Sequence, residues 1–159
     1  MTKVPPTPTL PQKERGQSYL PPAGEGQKIS LLAQQLGNLE AAGSYTLQCN
    51  TEMLRSAIKE AGYALFEADL KGTKGKQNFL NVLAQASGSP PGFGANWDAL
   101  ADALCDLSWQ DAAGYVLLLR NASDTLGLSA NDREIALDIF ADTTVYWRQR
   151  KKPFWIFFA

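Results

Sequence analysis

The most constraining feature of this 159-residue chain is a short run that is apolar at every position. Residues 114–119 read GYVLLL and lack the alternation of polar and apolar side chains that a half-exposed strand shows. A strand of this kind is covered on both faces, which is typical of a central strand in a parallel sheet. A second run, PFWIFF at 153–158, predicts a last strand. The chain is therefore predicted to fold around a small sheet with helices packed against it.

Amphipathic segments separate the predicted strands. Residues 51–62, TEMLRSAIKEAG, predict a helix that Thr51 caps and Gly62 ends, and YALFEA at 63–68 predicts the strand after it. The helix at Asn96 is predicted to run to about Leu107 with Asn96 as its N-cap. Strands that alternate with helices indicate an α/β fold with a parallel sheet built by right-handed crossovers. Two further helices are predicted from about Lys76 and from about Ser129.

The start of the chain differs in composition from the rest. Residues 1–28 hold six of the nine prolines and few large apolar side chains, so they cannot bury enough surface to order themselves. They are interpreted as a disordered Pro-rich tail. Residues 29–62 predict an N-terminal helix-strand-helix addition, with its brief strand at 44–48. Residues 63–159 form the main α/β domain.

Composition excludes several kinds of site. The chain has no histidine, which removes Ser-His-Asp and Cys-His catalysis and His-ligated metal sites. Cys49 and Cys105 are too few for a disulfide framework and have no second cysteine at ligand spacing. No catalytic residue, metal or cofactor is therefore expected.

The overall charge and hydropathy indicate neither nucleic acid nor membrane as a partner. The chain has 16 acidic and 15 basic side chains, and its one basic run, at 148–152, is interpreted as favourable charge at a helix C-terminus. No apolar run reaches 18 residues, and MTKVPPTPTL at the start lacks the apolar stretch of a signal peptide. A cytoplasmic protein is expected.

Charge is nevertheless segregated along the chain. Residues 77–119 contain no lysine or arginine but four aspartates. Asp98, Asp102 and Asp106 are spaced by four residues, so on one helix they share a face, opposite the apolar stripe. Like charges at this spacing destabilise a helix by about 0.2–0.5 kcal/mol per pair. Such a face is expected to serve a purpose other than stability.

The last predicted helix carries a similar series, Glu134, Asp138 and Asp142, and Arg133 is not three or four residues from any of them. Carboxylates crowded without counterions lose their repulsion when lysine or arginine groups of another protein dock on them. A surface for a cationic protein partner is the favoured interpretation. Solvated faces that aid solubility and a paired-carboxylate enzyme site are the alternatives.

One segment carries a family resemblance. Residues 91–104, PGFGANWDALADAL, resemble the aromatic-Gly-x-Asn-x-Asp-Ala-Leu-x-Asp segment of the barstar family, intracellular inhibitors of ribonucleases such as barnase. The surrounding elements follow in matching order, and the resemblance runs from about Tyr63 to Ala159. It implies a barstar-like α/β domain whose acidic side chains enter a ribonuclease active site in place of substrate phosphate.

The resemblance also implies roles for individual residues. Asp102 matches the central acid of the inhibitory helix, Asp98 the acid one turn earlier, and Glu134 a glutamate from the later helix. Phe93 and Gly94 match the aromatic-Gly loop. With the neighbouring acids of both helices, the expected partner-binding residues are Asp98, Asp102, Asp106, Glu134, Asp138, Phe93 and Gly94.

The expected function is that of a non-catalytic inhibitor or immunity protein, monomeric when free, whose partner is a basic ribonuclease or a nuclease-type toxin. The alternative is a regulatory or scaffolding module that binds another basic protein surface with the same fold. Two positions depart from the family: Gly92 replaces a further tyrosine, and Ala101 replaces a tryptophan beside the central aspartate. These departures bear on which nuclease is bound.

Overall fold

The computed structural model describes residues 22–90 and 96–159. Within these residues, strands and helices alternate along most of the chain, and a short 3₁₀ helix (Leu39–Ala41) precedes the first strand. The helices are α1 (Pro22–Leu36), α2 (Thr51–Ala61), α3 (Lys76–Ser87), α4 (Trp97–Leu104) and α5 (Ala130–Arg148). The strands are β1 (Ser44–Thr46), β2 (Ala64–Asp69), β3 (Tyr115–Arg120) and β4 (Phe154–Phe158).

The four strands form one parallel sheet in the order β1-β4-β3-β2. The two apolar runs are the inner strands, β3 and β4, because only an inner strand has its full length covered by neighbours and by both helical layers. The predicted α/β fold with a parallel sheet is confirmed. Ser44 of β1 lies opposite Ile156 of β4, so the N-terminal helix-strand-helix segment shares one sheet with residues 63–159.

A hydrophobic core lies on each face of the sheet. On one face α3, α4 and α5 bury side chains against Phe66, Leu117 and Ile156. On the other, α1 and α2 cover Val116 and Trp155. Alternate residues of each strand serve the two cores, as the two-residue period of a strand requires. The sheet is thus the middle layer of a three-layer fold.

Most predicted helix ends agree with the structure, and three differ. Asn96 and Ser129 are N-caps of α4 and α5 as predicted, and Gly62 ends α2 with a left-handed φ of 78°. The N-cap of α2 is Asn50, whose side chain accepts a hydrogen bond from the Met53 amide at 2.7 Å. Thr51 is therefore the first helical residue rather than the cap.

The second difference concerns the end of α4. The helix ends at Leu104 rather than near Leu107, because Leu107 adopts a left-handed φ of 48° and turns its side chain into the core. Asp106 consequently lies just beyond the helix. The four-residue spacing places only Asp98 and Asp102 on the same helical face.

The N-terminal boundary also differs. Helix α1 begins at Pro22, upstream of the predicted boundary at Ile29, and ends at Leu36, before Gly43. Proline is compatible with a helix start because the first amides have no partner within the helix. Residues 1–28, predicted as a tail, thus include the start of α1, and residues 1–21 lie outside the described residues. Among the helices described, none has the length and apolarity to cross a membrane.

Candidate partner-binding surface

The aspartates of helix α4 face solvent because the opposite face of the helix is buried in the core. Its N-cap, Asn96, accepts a hydrogen bond from the Ala99 amide at 2.7 Å and fixes where the helix starts. Leu100 and Leu104 are each 1% exposed. The opposite face, with Asp98 and Asp102, is exposed.

Trp97 is on the core side of α4, as its position in the apolar stripe predicted. Its ring centroid is 5.9 Å from that of Phe79 in α3, and it packs against the core. Its indole nitrogen is buried and has no hydrogen-bond partner among the described residues. The segment before the helix, residues 91–95, lies outside the described residues, so Phe93 and Gly94 keep their predicted roles untested.

Helix α4 is fixed against α5 by a buried hydrogen bond. The indole nitrogen of Trp147 donates to the Leu104 carbonyl oxygen at 2.8 Å. The hydroxyl of Thr143 in α5 lowers the pKa of the next residue, Cys105, and so lies close to its thiol. These contacts set the position of the α4 aspartates relative to α5.

The Cys105 thiol is influenced by one acid from each of the two helices. Burial is the main cause that raises its pKa, and the charges of Asp102 and Asp142 raise it further, whereas Thr143 and Arg150 lower it. Asp102 and Asp142 therefore both lie within electrostatic range of the same sulfur atom. We call the exposed residues Asp98, Asp102, Asp106 and Asp142 the acidic face.

The negative charges of the acidic face are not neutralised by cationic side chains of the described residues. In the described part of the chain, none of its four carboxylates forms an ion pair. Arg150, the cation that acts on Cys105, has its guanidinium carbon 3.5 Å from the Tyr146 ring centroid and donates to the Tyr146 carbonyl oxygen. The acids are thus available to cations of a partner.

Glu134 and Asp138 do not join the acidic face. They line a groove between α5 and residues 40–47, together with Leu137 and Ala141, whereas α5 contacts α4 through Thr143 and Trp147. At 3.6 residues per turn these two sets of residues lie on different sides of α5. The equal spacing in the sequence did not reveal which acid of α5 faces α4.

Other charged residues have structural partners. Arg55 of α2 donates to both carboxylate oxygens of Glu67, and this contact is the main cause that lowers the Glu67 pKa. Lys152, from the basic run, donates to Asp111 at 2.8 Å, which lowers the Asp111 pKa. Arg148 is the basic residue of the last turn of α5, and it also donates to the Ala42 carbonyl oxygen at 2.8 Å, which anchors the segment before β1.

The described residues show no group of three or more acidic or cysteine side chains placed to hold a metal ion. The groove beside α5 has a volume of about 1230 Å³, and its lining includes neither Asp98 nor Asp102. These aspartates are exposed on the side of α4 that faces away from the core. Such a surface fits contact with another macromolecule better than enclosure of a small substrate.

Fold and surface make this chain a parallel α/β domain with an exposed acidic helix, whose aspartates form no ion pair within the described residues. The model of the Barstar (barnase inhibitor) family matches residues 63–159, so the chain belongs to the barstar family. The resemblance carried by residues 91–104 is thereby confirmed. Comparisons with curated proteins and with solved structures found no significant match.

Proposed function

We propose that this protein is an inhibitor of a basic ribonuclease and that it occludes the enzyme's active site with its acidic face. The observation that carries the proposal is the set of exposed carboxylates on α4, without ion pairs among the described residues, in a segment that the barnase-inhibitor family model matches. The proposal includes a monomer that acts in the cytoplasm without a cofactor.

The physical basis is a match of charge. An enzyme that cleaves RNA binds phosphate with cationic side chains, and a carboxylate can take the place of a phosphate oxygen as acceptor. Hydrogen bonds between ionised groups are about twice as strong as neutral ones and short, about 2.7–2.9 Å. Asp98 and Asp102, one turn apart, offer two such acceptors about 6 Å apart along the helix.

Rigidity adds to affinity because ordered side chains and backbone cost less entropy on binding. The Asn96 cap fixes one end of α4, and the Trp147 hydrogen bond to Leu104 fixes the other. The carboxylates therefore start from a helix already held in place. This arrangement supports tight binding without a change of fold.

We include Asp142 in the proposed interface, in addition to the residues expected from the sequence. Its charge acts on Cys105 together with that of Asp102, so the two helices contribute acids to one surface. Glu134 and Asp138, expected in the same interface, line the groove on the other side of α5. The proposed interface is thus Asp98, Asp102, Asp106 and Asp142, with Phe93 and Gly94 as predicted neighbours.

The test is a titration of barnase-catalysed RNA hydrolysis with the full chain. We expect the parent chain to suppress hydrolysis, and the double variant Asp98→Asn/Asp102→Asn to require at least 100-fold more protein. The matched control is Glu134→Gln/Asp138→Asn, which removes two charges from the same face of the sheet and should inhibit like the parent. Equal inhibition by all three proteins would refute the proposed site.

A second measurement separates inhibition from binding alone. Isothermal titration calorimetry of the full chain with barnase gives affinity independently of activity. Binding through Asp98 and Asp102 without loss of hydrolysis would favour the alternative of a scaffolding module for a basic protein. Absence of both binding and inhibition would limit the proposal to nucleases other than barnase, such as a toxin domain encoded beside this chain.

A further inference from the structure

The sheet has a position that lacks a covering helix. On the face of the sheet that packs against α3, α4 and α5, Phe154 and Ile156 of β4 are buried. The neighbour of β4 toward this edge of the sheet is β1, which is the edge strand. Tyr45 of β1 points into the core on the opposite face, so Ser44 and Thr46 point to this one. Both line the groove of about 1230 Å³ beside α5. The groove occupies the place where a further helix of this layer would pack.

The wall of the groove is an apolar row on α5. Leu137, Ala141 and Val145 are spaced by four residues and line it with Phe158 of β4. Val145 is 45% exposed, which is unusual for a β-branched aliphatic side chain in this protein's described residues. A row at four-residue spacing is the ridge that packs against a second helix, and a small residue such as Ala141 permits close approach.

The rim of the groove is acidic. Four carboxylates line it, those of Glu40, Asp124, Glu134 and Asp138, against two arginines, Arg133 and Arg148. Both arginines already donate to backbone carbonyl oxygens of the chain, Arg133 to Asp124 at 2.6 Å and Arg148 to Ala42 at 2.8 Å.

None of the four carboxylates forms an ion pair within the described residues. With four acidic and two basic side chains, the rim carries a net negative charge. A segment that fills the groove must bring basic side chains to its edges and apolar side chains to its wall.

We propose that this groove binds a basic amphipathic helix of a second protein. The wall from Glu134 to Arg148 extends about 21 Å at 1.5 Å per residue, which matches a helix of about 15 residues. An apolar stripe would pack on the α5 row, and lysine or arginine side chains at its borders would meet Glu134 and Asp138. Helix-in-groove recognition of this kind is a common mode of peptide binding.

The groove is separate from the proposed ribonuclease site. The acidic face lies on the α4 side of α5, and the groove lies on the β1 side. The two surfaces can therefore be occupied together, and α5 would connect them. The chain would then act as a link between a nuclease and a second basic protein.

The test uses a fluorescein-labelled peptide of about 15 residues made of leucine and lysine, with leucines at helical spacing. A control peptide has the same composition in an order that gives no stripe. Fluorescence anisotropy with the full chain measures both affinities at 0.1 M salt. We expect the striped peptide to bind at least tenfold more tightly than the control, because only its helix can bury leucines on the α5 row.

Three variants locate the site, each checked for folding by circular dichroism. Val145→Asp, at an exposed position, should weaken binding of the striped peptide at least tenfold. Glu134→Gln/Asp138→Asn should weaken it and flatten its dependence on salt. Asp98→Asn/Asp102→Asn should leave the affinity within twofold, and barnase should not compete with the peptide.

Defined outcomes overturn the proposal. Equal binding of the two peptides, or loss of binding in Asp98→Asn/Asp102→Asn, would show only a general attraction to acidic surfaces. Unchanged affinity in Val145→Asp would place the peptide elsewhere. Sedimentation that shows the parent as a dimer and Val145→Asp as a monomer would identify a second copy of this chain as the occupant.

Discussion

The indole nitrogen of Trp147 donates a hydrogen bond to the carbonyl oxygen of Leu104, 2.8 Å away, and so joins the last residue of α4 to α5. A residue in one helix thereby fixes the position of aspartates in another. The bond is buried, and an unpaired carbonyl oxygen in its place would cost about 1–3 kcal/mol.

We predict that Trp147→Phe lowers the free energy of unfolding by about 1–3 kcal/mol and also weakens binding to a cognate ribonuclease. The matched control is Trp155→Phe. Trp155 donates to the Leu36 carbonyl oxygen at 2.8 Å, on the opposite face of the sheet. Urea denaturation should show similar losses for both variants, and calorimetry should show weaker binding only for Trp147→Phe. Equal effects on binding would mean that stability alone controls affinity.

For the central acid, we predict that Asp102→Asn leaves the urea midpoint nearly unchanged, since the side chain is exposed and has no ion pair among the described residues. Binding to the ribonuclease should weaken by about 2–5 kcal/mol, a range for desolvated charge pairs that comes in part from the barnase–barstar complex itself. Calorimetry measures the loss. Asp138→Asn, on the groove, is the control and should bind like the parent.

Association with a basic ribonuclease should be fast at low salt and slow as salt increases. The acidic face and a cationic cleft attract each other through a field that is screened over about 10 Å at 0.1 M salt. Stopped-flow measurement of the association rate from 0.02 to about 0.5 M sodium chloride tests this. A rate that does not change with salt would contradict electrostatic docking.

The Arg55–Glu67 pair gives a pH-dependent prediction. Because Arg55 holds the Glu67 pKa below its usual value, the pair contributes stability above about pH 4.3, the usual glutamate pKa, and loses it as pH falls through the lowered pKa. At pH 7, Glu67→Gln should lower the free energy of unfolding by about 1 kcal/mol. The difference should shrink at pH 3. Glu60→Gln, an exposed change on the same helix as Arg55, should show little effect at either pH.

Two deletions test the division of the chain. Removal of residues 1–28 leaves Leu32 and Leu36, the residues of α1 that the structure describes as buried, so the thermal midpoint should change little. Removal of residues 1–62 takes away α1, β1 and α2 and uncovers Val116, Trp155 and the rest of that core. Each large side chain fully uncovered costs about 1.5–3 kcal/mol. We expect the longer deletion to be insoluble or unfolded by circular dichroism, and a stable 63–159 fragment would disprove this packing role.

The layered fold and the acidic helix could be predicted from the amino-acid sequence alone. The uninterrupted apolar runs of β3 and β4 could only be inner strands, because a strand with an exposed face carries alternating polar residues. The Asn96 cap and the apolar stripe behind it likewise fixed which side of α4 meets water. Local spacing and burial are properties of single segments, so a sequence reveals them.

The way in which the segments face one another depends on contacts between distant parts of the chain, so it could not be predicted. The sequence gives Glu134, Asp138 and Asp142 the same spacing, yet the charge of Asp142, like that of Asp102, acts on Cys105, whereas the other two acids line the groove. The rotation of α5 about its axis depends on its packing against α4 and the sheet, through contacts such as Trp147 to Leu104 that are 43 residues apart in the chain. Likewise, Ser44 of β1 pairs with Ile156 of β4. No local pattern specifies this pairing, because the two segments are far apart in the chain.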